Sequence, residues 1–230
     1  MVTVAPSCLI DGRDIVFPDP RAGKFFFIGY DPASLSDWSA ISVVRMEMDE
    51  KTEKRTHSLT HLERFPMGTP YPDQVNRICS LALELQKVGE TWLVVDSTGL
   101  GKPIRDFLQE SGFPKSNTIG ITITGGNSIT REGNLFNIPK RDLVSNAVVL
   151  LQNGRLKIAA NLPLLSEMVK EMLNFKIKVS PSGHDSYEAW RESDHDDLVL
   201  GTCLALWFAE TVRKRPGARI IDRYGNVREL

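Results

Sequence analysis

The run Lys24–Tyr30, KFFFIGY, confines the fold more than any other stretch of this chain. After Lys24 it is continuously apolar, rich in aromatic rings and too short for a stable helix. It ends at Asp31-Pro32, where the residue ahead of a proline is pushed away from helical geometry. It reads as a buried strand with a carboxylate where the backbone leaves the sheet. Ser39–Met48 and Arg55–Phe65 follow, alternating apolar and polar residues loosely, as antiparallel strands with one covered face do. Three consecutive strands therefore open the fold.

Behind them the period changes. Asp73–Val88 places Val75, Ile78, Leu81, Leu83, Leu85 and Val88 at helical spacing. Thr91–Val95 is a short apolar strand ending at Asp96, and Ser97-Thr98-Gly99-Leu100-Gly101 turns into a helix near Pro103–Glu110. Ile119–Thr124 reads as a strand and Lys140–Gln152 as a helix stopped by Asn153-Gly154. Leu162–Leu173 reads as a helix with Pro163 in its first turn, and Phe175–Val179 as one arm of a β-hairpin inserted before the last helix. That last helix spans Asp194–Val212, with Ser193 as N-cap and an apolar body, LVLGTCLALWFA. Strands first and then alternating helix and strand give an α/β order with a mixed sheet, the order of the ribonuclease H-like architecture. Residues 1–23 are expected to form an N-terminal arm or linker, 24–212 the domain, and 213–230 a basic tail.

A chain of 230 residues is long enough to bury one full core. With 28 Lys and Arg against 29 Asp and Glu, any nucleic-acid contact must come from a local patch. Cys8, Cys79 and Cys203 are odd in number and widely spaced, which argues against a disulfide framework and a cysteine zinc site. No apolar run approaches the roughly 20 residues that span a bilayer, and no secretion signal opens the sequence. A cytoplasmic protein without membrane contact is expected.

Three acidic positions stand where an aqueous site can form. Asp31 and Asp96 end two strands that a mixed sheet can set side by side, in the strand-end crevice where open α/β sheets bind ligands. Asp194, Asp196 and Asp197 open the last helix and can face them. Crowded carboxylates repel unless cations or protons intervene, and hard oxygen donors with no cysteine select Mg²⁺ or Mn²⁺. Two such ions activate a water and stabilise the leaving oxygen in hydrolysis at phosphorus. Asp194 and Asp197 share a helix face, whereas Asp196 is the better partner for Ser193 in a capping box, so Asp197 is the expected ligand. Each acid also has a plain structural reading, as a turn residue or a complement to the helix dipole. His195, flanked by acids, is a candidate to orient a ligand, whereas His184-Asp185 reads as loop.

The DSTGLG loop, Asp96–Gly101, has the look of a phosphate cradle, but no P-loop follows because Gly101-Lys102 runs into Pro103. A dinucleotide fingerprint, zinc spacing and a nucleophile elbow are likewise missing. Between residues 115 and 160 the positives Lys115, Arg131, Lys140, Arg141, Arg155 and Lys157 face only Glu132 and Asp142. This stretch, with Arg131 in a loop GGNSITREGN expected to be flexible, is the candidate DNA-backbone contact.

Taken together the blocks FFFIGYDPASLSDWSAISVV, RFPMGTPYPDQVNRI, VVDSTGLGKPIRDFL, KRDLVSNAVVLLQNGRLKI and DHDDLVLGTCLALWFA resemble the nuclease domain of the large terminase subunit of tailed bacteriophages, over about Lys24 to Glu210. The resemblance implies a ribonuclease H-like endonuclease that cuts concatemeric viral DNA during genome packaging with two Mg²⁺ or Mn²⁺ ions. Asp31 and Asp96 would be the strand-end metal ligands. The His195-Asp196-Asp197 triplet would supply the third through either aspartate, with Asp194 a weaker candidate and Asp37 and His195 in support. Double-stranded DNA, the portal protein, the small terminase subunit and an ATPase domain are the implied partners, in the host cytoplasm. Terminase large subunits carry an N-terminal ATPase and this sequence has no P-loop, so an isolated nuclease domain or a standalone relative is expected. The alternatives are a resolvase-like nuclease on branched DNA, an actin- or kinase-like ATP-binding domain reading D-x-T-G as a nucleotide loop, and a non-catalytic docking module.

Overall fold

The computed structural model describes residues 16–17, 24–34, 37–49, 51–52, 54–99, 101–111, 113–178, 196–211, 213–214, 219–221 and 227–229. In chain order, β1 (Val16–Phe17), β2 (Lys24–Asp31), β3 (Ala40–Met48) and β4 (Arg55–Arg64) come first. Helix α1 (Tyr71–Gln86), β5 (Gly89–Asp96), α2 (Gly101–Glu110) and β6 (Thr118–Thr124) follow. Next are β7 (Thr130–Glu132), β8 (Leu135–Pro139), α3 (Lys140–Gln152), β9 (Leu156–Ile158), α4 (Leu165–Lys178) and α5 (Asp197–Thr211). The last strands are β10 (Arg213–Lys214), which pairs with β1, and β11 (Arg219–Ile221) and β12 (Val227–Glu229), which pair with each other.

An eight-stranded mixed sheet runs in the order β7-β8-β6-β5-β2-β3-β4-β9. The three leading strands β2, β3 and β4 are antiparallel, while β5 returns parallel to β2 and β6 parallel to β5. This is the expected ribonuclease H-like layout, with β2 in the interior where its aromatic run is covered on both faces. Phe25 and Phe27 pack under α5, and Phe26, Ile28 and Tyr30 pack under α1 and α2. Helix α5 is buried all round from Asp197 to Ala209, as a helix without a polar stripe must be. Cys79 and Cys203 are free thiols.

Four local expectations are corrected. Helix α4 continues to Lys178 where a hairpin arm was expected from Phe175, and the remainder of that hairpin region, 179–195, lies outside the described residues. Pro163 precedes α4 instead of sitting in its first turn, because Leu164 takes φ +62° and breaks the chain away before Leu165. The loop expected to be flexible around Arg131 is partly a hairpin, with Glu132 opposite Leu135 and Gly133 at φ +59° in the turn. Helix α5 starts at Asp197, not Asp194, and the proposed cap Ser193 lies outside the described residues.

Helix α5 and β2 approach closely in the core. A Cβ placed on Gly29 would stand 1.8 Å from the carbonyl oxygen of Gly201. Beside this contact the Thr202 hydroxyl lies 2.8 Å from the Leu198 carbonyl and 3.0 Å from Ser42 Oγ. Gly201 itself is less confined, since its Cβ would meet Ser42 Oγ at 3.3 Å. Gly29→Ala should therefore cost about 3 kcal/mol or more, because backbone cannot retreat. Gly201→Ala should be near neutral, the strain being offset by about 1 kcal/mol of helix propensity. Urea denaturation of the two variants checks this contrast, and equal losses would contradict it.

Candidate active site

Side chains alternate across a strand, so the parity of β2 and β5 decides where their last residues point. Phe25 and Phe27 in β2, and Trp92 and Val94 in β5, belong to the layer under α5. Asp31 and Asp96 continue these two series and face α5. Tyr30 is in register with Val95, so the two carboxylates end neighbouring parallel strands. The contact of Gly29 with Gly201 seats α5 against β2, and the first turn of α5, with Asp196 and Asp197, comes down over the same strand ends.

A bulge in β4 adds a residue absent from the sequence reading. Val44 pairs with Leu59 but Val43 pairs with His61, so Thr60 is the extra residue. Beyond it the parity of β4 is inverted, and Leu62 and Arg64 face α5 where an unbroken strand would have turned them away. Arg64 is opposite Ala40, and Ala40 is opposite Asp31. Its guanidinium grips Asp197 in a bidentate pair, Nε to Oδ2 at 2.7 Å and Nη2 to Oδ1 at 2.9 Å. It also meets Glu171 of α4 and lies 5.7 Å from the centre of the Trp38 ring. Glu171 in turn accepts a bond from the Val199 backbone N–H at 2.9 Å, in the first turn of α5.

Lys140, at the start of α3, donates to Asp196 Oδ2 at 2.8 Å. The electrostatics of the cluster follow from crowding. Burial, then the charges of Asp96, Asp196 and Asp197, raise the Asp31 carboxyl well above the ordinary range, with the Lys140 charge opposing. Asp96 is also raised, chiefly by burial, although the Thr98 N–H bonded to its Oδ1 at 2.7 Å and the charge of Lys140 pull it down. Burial and the neighbouring Asp197 push Glu171 up to about 8, against its bond from Val199 and the charge of Arg64.

The structure thus brings Asp31, Asp96, Asp196 and Asp197 to one end of the sheet, together with Lys140. Asp194 and His195, like His184 and Asp185, lie outside the described residues. Asp37 is exposed in the loop after β2, its Oδ1 accepting from the Trp38 N–H at 2.8 Å. The basic set is divided. Arg141 is beside Lys140 and its Nε lies 3.4 Å from Asp142. Arg131 is on edge strand β7, stacked 5.1 Å from the centre of the Phe136 ring. Lys115 lies ahead of β6, at the opposite end of the parallel strands, about 20 Å away for a strand of this length.

The donor set fits a hard divalent cation in kind, since it is all carboxylate oxygen and its mutual repulsion calls for positive charge. Among the described residues, however, no group of three or more Asp, Glu, His or Cys side chains is arranged to hold a metal as it stands. The ammonium of Lys140 and the guanidinium of Arg64 now supply the compensating charge. Asp196 has one oxygen engaged by Lys140, whereas both oxygens of Asp197 are held by Arg64.

No family model and no curated protein matches this sequence. Among solved structures, the large terminase nuclease of the thermophilic phage G20c is similar, with 22% identity, a TM-score of 0.50, and coverage of 80% of this chain and 82% of that one. The terminase nuclease domain of human cytomegalovirus is similar at 15% identity and a TM-score of 0.50, covering 81% of this chain and 83% of its own. The chain has the ribonuclease H-like fold of these terminase nuclease domains. No helix among the described residues is long and apolar enough to cross a membrane.

A carboxyl that holds its proton to higher pH when folded than when unfolded makes the folded chain less stable as pH rises, since the native state binds the extra proton. In chelator, stability should therefore fall as pH climbs from about 4, the unfolded value, through the raised folded value of Asp31. Asp31→Asn should flatten that dependence and raise Tm at neutral pH by about 2–4 °C, the shift for about 1 kcal/mol in a chain of this size. Thermal melts across pH check it, and a variant that melts lower with the same pH slope would contradict it.

Proposed function

We propose that this chain is a divalent-cation-dependent endodeoxyribonuclease, the nuclease part of a DNA-packaging terminase large subunit of the tailed-phage kind. The observation that carries the reading is the meeting of Asp31 and Asp96, at neighbouring parallel strand ends, with Asp196 at the start of α5. The fold shared with terminase nuclease domains supports it. Asp31, Asp96 and Asp196 would hold two Mg²⁺ or Mn²⁺ ions, which supply charge for activating a water and for stabilising the leaving oxygen in phosphodiester hydrolysis.

The chain's own residues prepare that site. Arg64 holds Asp197 and Glu171, fixing the first turn of α5 relative to β4. Lys140 can exchange its bond to Asp196 for one to a backbone phosphate, with Arg141 beside it and Arg131 further along the sheet edge. Lys115, at the far end of the sheet, contacts DNA only along a longer track. The arm 1–23 and the basic tail 213–230 flank a nuclease domain of 24–212. In the packaging motor the substrate is concatemeric viral DNA in the host cytoplasm, and the portal protein, the small subunit and the ATPase domain are the partners.

Supercoiled plasmid incubated with Mg²⁺, Mn²⁺ or chelator tests the reading. Metal-dependent nicking and linearisation are expected, with a loss of at least about 100-fold in Asp96→Ala, because removing a group that stabilises transition-state charge costs 10²–10³ in rate. Equal cleavage by the variant would defeat the proposal, and preference for branched over linear duplex would move it to a junction nuclease. Metal should also raise Tm through binding to the folded state only. Asp196→Asn should abolish that rise, whereas Asp197→Asn should lower Tm in chelator by releasing Arg64. The reverse pattern would exchange the two roles.

A further inference from the structure

On the face of the sheet away from the carboxylates, α2 lies over β5 and β6. Gly120 of β6 is in register with Val95, and Ser97, just past the end of β5, is the next residue of that parity. A Cβ on Gly120 would stand 2.7 Å from Nη1 of Arg105 and 2.7 Å from Oγ of Ser97. The bare glycine thus leaves room for a guanidinium from α2 and a hydroxyl from the DSTGLG loop to lie over the same piece of backbone.

Among the described residues both groups are short of partners. Arg105 is half-buried, and its Nε is cut off from solvent without a hydrogen bond. Ser97 Oγ is in the same condition. Among the described residues no carboxylate forms an ion pair with Arg105. A partly desolvated guanidinium without a counter-charge is costly, and the cost is relieved by an anion that accepts from it. The loop that presents Ser97 is held firmly. Its own N–H donates to the Ile121 carbonyl at 2.7 Å, and Thr98 Oγ1 accepts from the Ile123 N–H at 2.9 Å.

We propose that Arg105 and Ser97, meeting over Gly120, form a phosphate-binding site on the face of the sheet opposite the carboxylate cluster. The guanidinium fork and the hydroxyl supply donors from two elements, which suits a group with several acceptor oxygens. The ligand is a phosphate, either one in a DNA backbone or one on a small molecule. Since Ser97 directly follows Asp96, an anion held there braces the loop whose Thr98 N–H holds Asp96. The binding step itself does not depend on the catalytic reading.

Arg105→Met keeps the aliphatic packing and removes the charge, and Ser97→Ala removes the hydroxyl alone. In thermal melts in chelator, inorganic phosphate should raise the Tm of the wild type more than sodium chloride of equal ionic strength does. Arg105→Met should lose that rise while melting at least as high as the wild type without phosphate, and Ser97→Ala should lose part of it. Asp31→Asn, which disables the carboxylate cluster, should retain it, so a failure of the nuclease reading leaves this result standing. Binding of a short DNA duplex in chelator, titrated against salt, distinguishes the source. A salt slope lower by about one in Arg105→Met identifies a backbone phosphate. An unchanged slope with the phosphate response lost identifies a small phosphorylated ligand. A wild type indifferent to phosphate, or a response equal in Arg105→Met, overturns the site.

Discussion

The contact of Gly29 with Gly201 is the point on which the arrangement of this molecule turns. Because Gly29 carries no side chain, α5 lies directly on the middle of the sheet, and its ends are then held by the two ends of β4. At the C-terminal end Arg55 donates to the carbonyls of Ala209 and Glu210, both at 2.9 Å, while buried His57 lies 2.7 Å from the Glu210 carboxylate. At the N-terminal end Arg64 holds Asp197. A helix pinned at its middle and at both ends has little freedom to tilt. The position of Asp196 relative to Asp31 and Asp96 is therefore a property of the core and not of a loop.

That rigidity makes the crowding of carboxylates meaningful. Four acids share one end of the sheet, and two of them, Asp31 and Asp96, hold protons more tightly than usual because burial and mutual repulsion disfavour their charge. Lys140 and Arg64 offset part of the repulsion, each in a different way. Lys140 engages a single oxygen of Asp196 through a flexible stem, an interaction that is easily exchanged for another. Arg64 engages both oxygens of Asp197 together with Glu171, stacked against Trp38, which is an anchoring arrangement. The two cations thus engage the acidic helix start differently, one through a single bond to Asp196 and one through a bidentate pair with Asp197.

Much of the sheet was legible. The strand at Lys24–Tyr30 announces itself by the uninterrupted apolar residues that follow Lys24, and the helix at Lys140–Gln152 has its expected bounds, with Asn153-Gly154 as the stop. Short pairings were not. Strands β7, β8 and β9 are three to five residues long and carry too few alternations to stand out, although the Gly133-Asn134 pair between β7 and β8 is a turn signal. Pro163 looked like a helix start, but Leu164 in the left-handed region delays the helix, a choice no local pattern discloses.

For the candidate site the division is similar. By itself the sequence determined that Asp31 and Asp96 end strands and that acids open the last helix, since both depend on residue type and short-range order. Only the tertiary structure decided that Arg64 belongs with them, because a single extra residue at Thr60 inverts the face of β4, and a bulge forms in response to the partner strand. The tertiary structure also decided that Lys140, read as a DNA contact, turns to Asp196, and that Glu171 on α4 joins the group. These are contacts between residues 56 to 133 positions apart, formed when packing α5 on the sheet brings distant charges into the same low-dielectric corner.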